Sequence, residues 1–246
     1  DFWVIGYIVS VGPHRGLDTT IKALSLISHK IPNIRLLIVG CNPVMKSYYM
    51  KLAVKLNVQS LIEIIEWIPF DSIKNYIDSC DVCLVPHNNF EHTNTTVPHK
   101  LFQYMMLEKP VLVSSCPPLK RVVEDSECGR VFEAGNSNDM AKKIYEMFKD
   151  SNFLNKMGKN GKRAALTKYS WKNDAERLKK AVKNIMLNIV ISDWCWNTTY
   201  SNEKLIKHFN KISIIGLGYI GLPTTVLLAW NKQNVVGIDI YDQVIE

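Results

Sequence analysis

The chain has 246 residues, 47% hydrophobic and 22% charged, with a formal charge of +7. These proportions are ordinary for a globular protein. No apolar run reaches the roughly 18 residues needed to span a bilayer, and the opening DFWVIGYIVSVG lacks the basic region and cleavage site of a signal peptide.

That opening reads instead as a buried strand, WVIGYIVSV. A chain that starts on a core strand, without Met, is expected to be preceded by more protein. LDTTIKALSLISHKI follows, with Ile21, Leu24 and Ile27 at helical spacing. IRLLIVG is a continuous apolar run, as suits a strand covered on both faces. The pattern then alternates. VMKSYYMKLAVKLN is helical, LIEIIEWI a strand, and DSIKNYIDSC a helix that Asp71 or Ser72 can cap. DVCLVP is a strand, PHNNFEHTNTT a polar loop, and VPHKLFQYMML a helix with Pro98 in its first turn. PVLVSS, PPLKRVVED and GRVFE give strand, short helix and strand. Residues 139–148 and 153–188 are helical, with breaks expected near Gly158, Gly161 and Ser170. Strand–helix alternation of this kind predicts an α/β fold with a doubly wound parallel sheet.

The six cysteines show no disulfide-framework spacing, which points to a reducing cytoplasm. Cys80 and Cys83 have the CxxC form, but no second pair or nearby histidines stand at zinc spacing, so packing is the expected role and no metal site is assigned. The positive excess concentrates between Lys142 and Lys183. It reads as a solvated helix face, or as a surface for peripheral contact with anionic lipid; without interleaved aromatics it does not indicate nucleic acid.

Parallel sheets of this class bind ligands beyond the carboxyl ends of their strands. The loop SVGPHRGLDTT lies there. Gly12, Pro13 and Gly16 make it tight, the following helix directs free N–H groups toward it, and Arg15 adds a full charge. An anion such as a diphosphate is favoured at such a place, and His14 can donate a hydrogen bond to it. A plain strand–helix turn would look similar. The second loop, Pro86 to Met105, is rich in His, Asn and Thr and enters a helix bearing Lys100 and Gln103. A lysine at a helix start is again suited to an anion, and a Gln amide can bridge two ribose hydroxyls. His87, His92, His99 and Lys100 equally fit solvated polar positions.

Taken in order, GPHRGLDTTIKAL, IPNIRLLIVG, EHTNTTVPHKLFQYM, KPVLVSS and CGRVFEAGNSNDMAKKI resemble the C-terminal half of retaining family 4 glycosyltransferases, over Phe2 to Asn188. The resemblance implies the carboxyl half of a GT-B fold that binds a nucleoside-diphosphate sugar, with no cofactor. Members commonly hold the diphosphate with an Arg and a Lys in the first loop. Here Ser10 stands in place of the Arg and Arg15 in place of the Lys, while Lys100 supplies a second charge. Members also often carry two glutamates spaced by seven residues; Thr95 and Gln103 occupy those places. Arg15 and Lys100 are therefore the candidate catalytic residues. Gly12, His14, Gly16, His92, Thr95, Thr96, His99, Leu101 and Gln103 are the candidate donor contacts. The acceptor implied is a saccharide or lipid-linked saccharide of surface-polysaccharide synthesis. That places the protein in the cytoplasm, or at the inner face of the membrane.

After Asn188 the texture changes. IVISDWCWNTTYSNEKLIKHFN has no amphipathic period and reads as a linker or a junction over residues 189–210. KISIIGLGYIGLPTTVLLAW then presents Gly216, Gly218 and Gly221 as G-x-G-x-x-G after a strand, and Asp239 ends the next strand about 20 residues on, where it can hold a ribose 2′-hydroxyl. GLGYIGLP is similar to the N-terminus of nucleotide-sugar dehydrogenases of the UDP-glucose and UDP-N-acetylmannosamine kind. This resemblance covers residues 211–246 and implies a truncated βαβ unit that could take NAD, or a remnant with no bound cofactor. Three functions are thus expected to compete: a transferase donor half, a bifunctional transferase–dehydrogenase, and a non-catalytic nucleotide-binding module.

Overall fold

Six short apolar runs become the strands of one parallel sheet: β1 (Trp3–Ile8), β2 (Ile34–Val39), β3 (Ile62–Ile65), β4 (Val82–Val85), β5 (Val111–Ser114) and β6 (Gly129–Phe132). The computed structural model describes residues 2–8, 11–180, 212–215 and 235–238, which belong to two units, Asp1–Lys179 and Lys180–Glu246. In the first unit the strand order is β3-β2-β1-β4-β5-β6. β1 pairs Ile5 with Leu36 of β2 on one side and with Val82 of β4 on the other. The order therefore reverses at β1 and β4.

Helices cover both faces: α1 (Leu17–Ile27), α2 (Pro43–Lys55), α3 (Ile73–Asp78), α4 (Glu91–Thr95), α5 (His99–Met106), α6 (Pro117–Ser126), α7 (Ser137–Lys149) and α8 (Ser151–Thr167). Because successive strand residues face opposite ways, the sheet feeds two cores. Ile5, Tyr7, Leu36, Ile38, Leu84 and Leu112 pack with α1, α2 and α7. Ile8, Leu37, Val39, Val85 and Val113 pack with α5 and α6. α8 serves both, Met157 entering the first core and Ala165 the second.

The starts of α2, α8 and α7 are held by side chains: Asn42 accepts from the Met45 N–H at 2.8 Å, Asp150 from that of Phe153 at 3.0 Å, and Asn136 from that of Asp139 at 3.0 Å. The expected cap at Asp71 or Ser72 does not form. α3 is entered from a tight 3-10 turn, Phe70–Ser72, and the Ile73 N–H bonds the Phe70 carbonyl instead. Nor does the chain break at Gly158 or Gly161; α8 runs straight through both. Lacking a Cβ, Gly158 lets the helix lie against the Glu108 carbonyl, where a methyl group would overlap it. The break near Ser170 is present: α8 ends at Thr167, and residues 171–180 are helical again. The polar loop after β4 contains the short α4, built on Thr93, whose hydroxyl accepts from the Phe90 N–H at 2.9 Å and donates to the Asn88 carbonyl at 2.6 Å.

Cys80 and Cys83 are both buried, and the Cys80 thiol donates to the Tyr76 carbonyl at 3.2 Å. In the second unit, β7 (Ile212–Ile215) and β8 (Val235–Ile238) pair in parallel, Ile212 opposite Val235. A parallel pair needs a crossover connection, as the G-x-G-x-x-G reading requires. Gly216, Gly218, Gly221 and Asp239 themselves, and the stretch 189–210, lie outside the described residues.

One hydroxyl joins α5 to the central strand. Tyr104 is fully buried; its Oη accepts from the Ile8 N–H at 2.9 Å and donates to the Ile8 carbonyl at 3.0 Å. The β1–β4 ladder covers Ile5 and Gly6, so at Ile8 this phenol stands in for a strand partner. Tyr104→Phe leaves two buried backbone groups unpaired, and is expected to lower unfolding free energy by about 1–3 kcal/mol. Urea denaturation of the two proteins measures this; an unchanged midpoint would show that Ile8 finds other partners.

Candidate functional site

The reversal of strand order sets the site. At β1 and β4 the following connections leave the sheet in opposite directions, which is where open α/β sheets form their binding crevice. The connection after β1 is the loop at Gly12–Gly16, in which Pro13–Arg15 form a 3-10 turn closed by the Arg15 N–H on the Gly12 carbonyl at 3.0 Å. Gly16 has φ 73° and begins α1. Any other residue there would be strained, and its Cβ would overlap the carbonyl oxygen of Pro86, which follows β4. The two loops are thus in direct backbone contact. The Asn88 N–H also donates to the His14 carbonyl at 3.1 Å, fastening one loop to the other.

Four basic groups surround one histidine here. The Arg15 Nη1 donates to Nε2 of His87 at 3.1 Å. His87 is 2% exposed. Burial and the positive field of Arg15, Lys100, His14 and His92 hold its pKa down at about 3, so the ring is neutral at physiological pH. An arginine donates only; Nε2 is therefore the unprotonated nitrogen, and the ring proton sits on Nδ1. Lys100, in the first turn of α5, is 7% exposed, and its Nζ lies 3.7 Å from the centre of the Tyr7 ring. Burial first, and Arg15 second, push its pKa well below that of a free lysine. The Tyr7 ring face offers a cation a favourable partner within this apolar setting. Burial raises the Tyr7 phenol and keeps it neutral, though the Arg15 charge opposes the shift. At the outer edge His14 and His92 stand edge to face, their ring centres 6.3 Å apart. Burial, then Arg15 and His92, lower the His14 pKa.

Candidate residues that lie apart in sequence meet here: Gly12, His14, Arg15 and Gly16 from the first loop, His92 and Lys100 from the second. The remaining ones are placed differently. The Thr95 hydroxyl donates to the His92 carbonyl at 3.1 Å and the Thr96 hydroxyl to the same carbonyl at 2.8 Å, both closing α4. The Leu101 side chain is fully buried in the second core, and its N–H bonds the Pro98 carbonyl at 3.1 Å. His99 and Gln103 fall on the α5 face toward α3. There they line an open groove of about 460 Å³ with Phe70, Asp71, Lys74 and Phe102. Ser10 lies outside the described residues. Two members of the cluster were not singled out by sequence, His87 and Tyr7. The available signal was position, His87 just past the end of β4 and Tyr7 in the strand leading to the first loop.

Positive charge collected around neutral hydrogen-bonding groups is suited to a polyanion.

Comparison with known proteins agrees with this architecture. Residues 1–164 match the family Glycosyl transferases group 1. Residues 210–246 match the NAD binding domain of the UDP-glucose/GDP-mannose dehydrogenase family. Among curated relatives, the capsular polysaccharide biosynthesis glycosyltransferase CapM of Staphylococcus aureus is 24% identical over 174 residues, 69% of this chain and 43% of that protein. At the other end, UDP-N-acetyl-D-mannosamine dehydrogenase of Campylobacter jejuni is 46% identical over 41 residues, 17% of this chain and 10% of that one. Among solved structures, Anabaena Alr3699/HepE in complex with UDP aligns with a TM-score of 0.65 at 16% identity, over 74% of this chain and 49% of that one. The C-terminal domain of a group 1 glycosyl transferase (LpcC) of Francisella tularensis aligns with a TM-score of 0.57 at 19% identity, over 69% of this chain and 87% of that domain. The chain spans less than half of CapM and of HepE. It belongs to the group 1 glycosyl transferase family, with the α/β fold of GT-B enzymes.

The buried lysine has a signature in solution. Its folded pKa lies below the ordinary 10.5. Between those two values the unfolded chain holds a proton that the native chain lacks, so stability rises with pH toward 10.5. Lys100→Met is expected to flatten this rise, as read from urea midpoints across the alkaline range. A slope equal to that of the parent chain would mean that Lys100 is solvated.

Proposed function

We propose that residues 1–188 of this group 1 glycosyl transferase are the donor-binding half of a retaining enzyme, and that the Arg15–Lys100 cluster takes the diphosphate of a nucleotide sugar. The supporting observation is the convergence of two cations on one buried, neutral histidine at the reversal point of the sheet. In sugar transfer from a nucleoside diphosphate, negative charge grows on the leaving diphosphate as the anomeric C–O bond breaks. Donors fixed beforehand in a water-poor site stabilise that charge without rearrangement. Arg15 presents a planar fork suited to two phosphate oxygens, and Lys100 a second charge whose proton affinity rises when an anion arrives. The open groove beside α5, with Gln103 and His99 at its rim, is suited to the nucleoside. Thr95 and Thr96, whose hydroxyls bond the His92 carbonyl, are assigned to the sugar end of the donor. His92 and the Gly12–Gly16 amides complete the contacts, and Leu101 contributes through the packing of α5.

CapM is named for capsular polysaccharide biosynthesis, which supports an acceptor that is a surface saccharide or a lipid-linked saccharide. On that reading the reaction runs in the cytoplasm, or at the inner face of the membrane. Among the described residues no helix is long and apolar enough to cross a bilayer; the membrane contact proposed is a peripheral one, and no nucleic acid partner is assigned. The transferase needs no organic cofactor in this reading. GT-B chemistry runs in a cleft between two domains, so the isolated chain would bind donor without turning it over.

A second reading is favoured by one observation, the match of residues 210–246 to an NAD binding domain together with the parallel β7–β8 pair. On it the polypeptide joins a transferase to a nucleotide-sugar dehydrogenase. NAD, which accepts hydride in such enzymes, would rest on Gly216, Gly218 and Gly221, with Asp239 on its ribose.

Arg15→Ala and Lys100→Ala are each expected to weaken binding of the nucleoside diphosphate that ranks first in a thermal-shift panel. In a parent enzyme carrying both halves, each should cut turnover by about 100- to 1,000-fold. Titration calorimetry on the chain and donor turnover on the parent check this. Unchanged affinity in both variants would remove the diphosphate site.

A further inference from the structure

His87 sits where the two loops meet, yet no contact to a ligand is assigned to it. It is nearly sealed from solvent at 2% exposure, and its Nε2 accepts from Arg15 at 3.1 Å. Its backbone is fixed from both sides. Pro86 abuts Gly16, Asn88 bonds the His14 carbonyl, and the Cys116 thiol points at the His87 carbonyl at 3.6 Å. The ring thus hangs from a rigid frame, with its lone pair aimed at a guanidinium in the facing loop. Arg15 needs such a partner. A carboxylate would hold it more strongly but would neutralise the charge that a diphosphate requires. A neutral imidazole fixes the side chain and leaves its full charge available.

The geometry points to His87 as a positioning residue that acts through Arg15, holding the guanidinium in the orientation that receives a pyrophosphate group while adding no charge of its own. The inference rests on the diphosphate reading for its consequence, but the His87–Arg15 bond exists independently of it. The groups facing the ring are Arg15 and His14 from the first loop, and His92 and Lys100 from the second. All are basic, and together with burial they keep the imidazole neutral. The lone pair therefore stays available to Arg15 throughout the physiological range.

Two measurements on the full 246-residue chain test this. In the ligand-free protein, ring 15N resonances should show His87 neutral, with its proton on Nδ1, from neutrality down to about pH 5, unlike a free histidine that titrates near 6.5. Arg15→Ala should shift the Nε2 resonance. A proton on Nε2, or titration near the free value, overturns the proposal. With inorganic pyrophosphate as probe, His87→Phe should lose about tenfold in affinity, and His87→Gln, which keeps an acceptor near the Nε2 position, should restore most of it. In an Arg15→Ala background His87→Phe should change affinity by less than about twofold, because coupled residues are not additive. An equal loss in both backgrounds would show that His87 acts independently of Arg15, and would sink the inference. Should the parent chain bind no pyrophosphate, the donor reading fails, while the resonance measurement still decides whether His87 holds Arg15.

Discussion

Two loops are forced to face each other because the sheet grows in opposite directions from β1 and β4. No side-chain interaction creates this arrangement. It follows from the strand order and from the right-handed crossovers that parallel strands require. The side chains exploit it. The Gly12–Gly16 turn and the Pro86–Asn88 segment press together closely enough that only glycine fits at position 16. Arg15 and His87, far apart in sequence, come within hydrogen-bond reach. The strand arrangement thus accounts for the location of the site, and these residues for its chemistry.

That chemistry is held in an unfavourable resting state. Lys100 is packed against Tyr7 inside the fold, and Arg15 sits close enough to depress its proton affinity. Every charged group that shifts the His87 pKa is basic, and burial adds to their effect. The π face of Tyr7 meets the lysine and the lone pair of His87 meets the arginine. On the proposed reading, an incoming pyrophosphate would bring negative charge to these groups.

The layered architecture was legible because its signals are local. The strands are apolar runs a few residues long, and α1, α6 and α7 have an amphipathic period with Gly or Pro near an end. Where the reading missed, the deciding contact leaves no apolar pattern. α4 has no apolar stripe and forms around the Thr93 hydroxyl. Gly158 and Gly161 look like helix breakers until the Glu108 carbonyl is seen against the first, and Cys128 and Met105 against the second. In the site, glycine loops and cations could be named in advance because a tight turn before a helix has a composition of its own. His87 could not be separated from its neighbours His92 and His99, since nothing local distinguishes a buried acceptor from a solvated ring. Gln103 and Lys100 share a helix, yet packing turns the lysine inward and leaves the amide on the groove.

Tyr104 lies one helical turn beyond Lys100 on α5, and its phenol is locked to both polar groups of Ile8. The helix carrying one cation is thereby indexed to the strand whose following loop carries the other. Thermal sliding of α5 along the sheet would have to break two buried hydrogen bonds before the spacing between the cations could change. Motion that admits substrate is therefore expected to move the outer rim, near His14 and His92, and to leave the separation of the charges as fixed as the sheet itself.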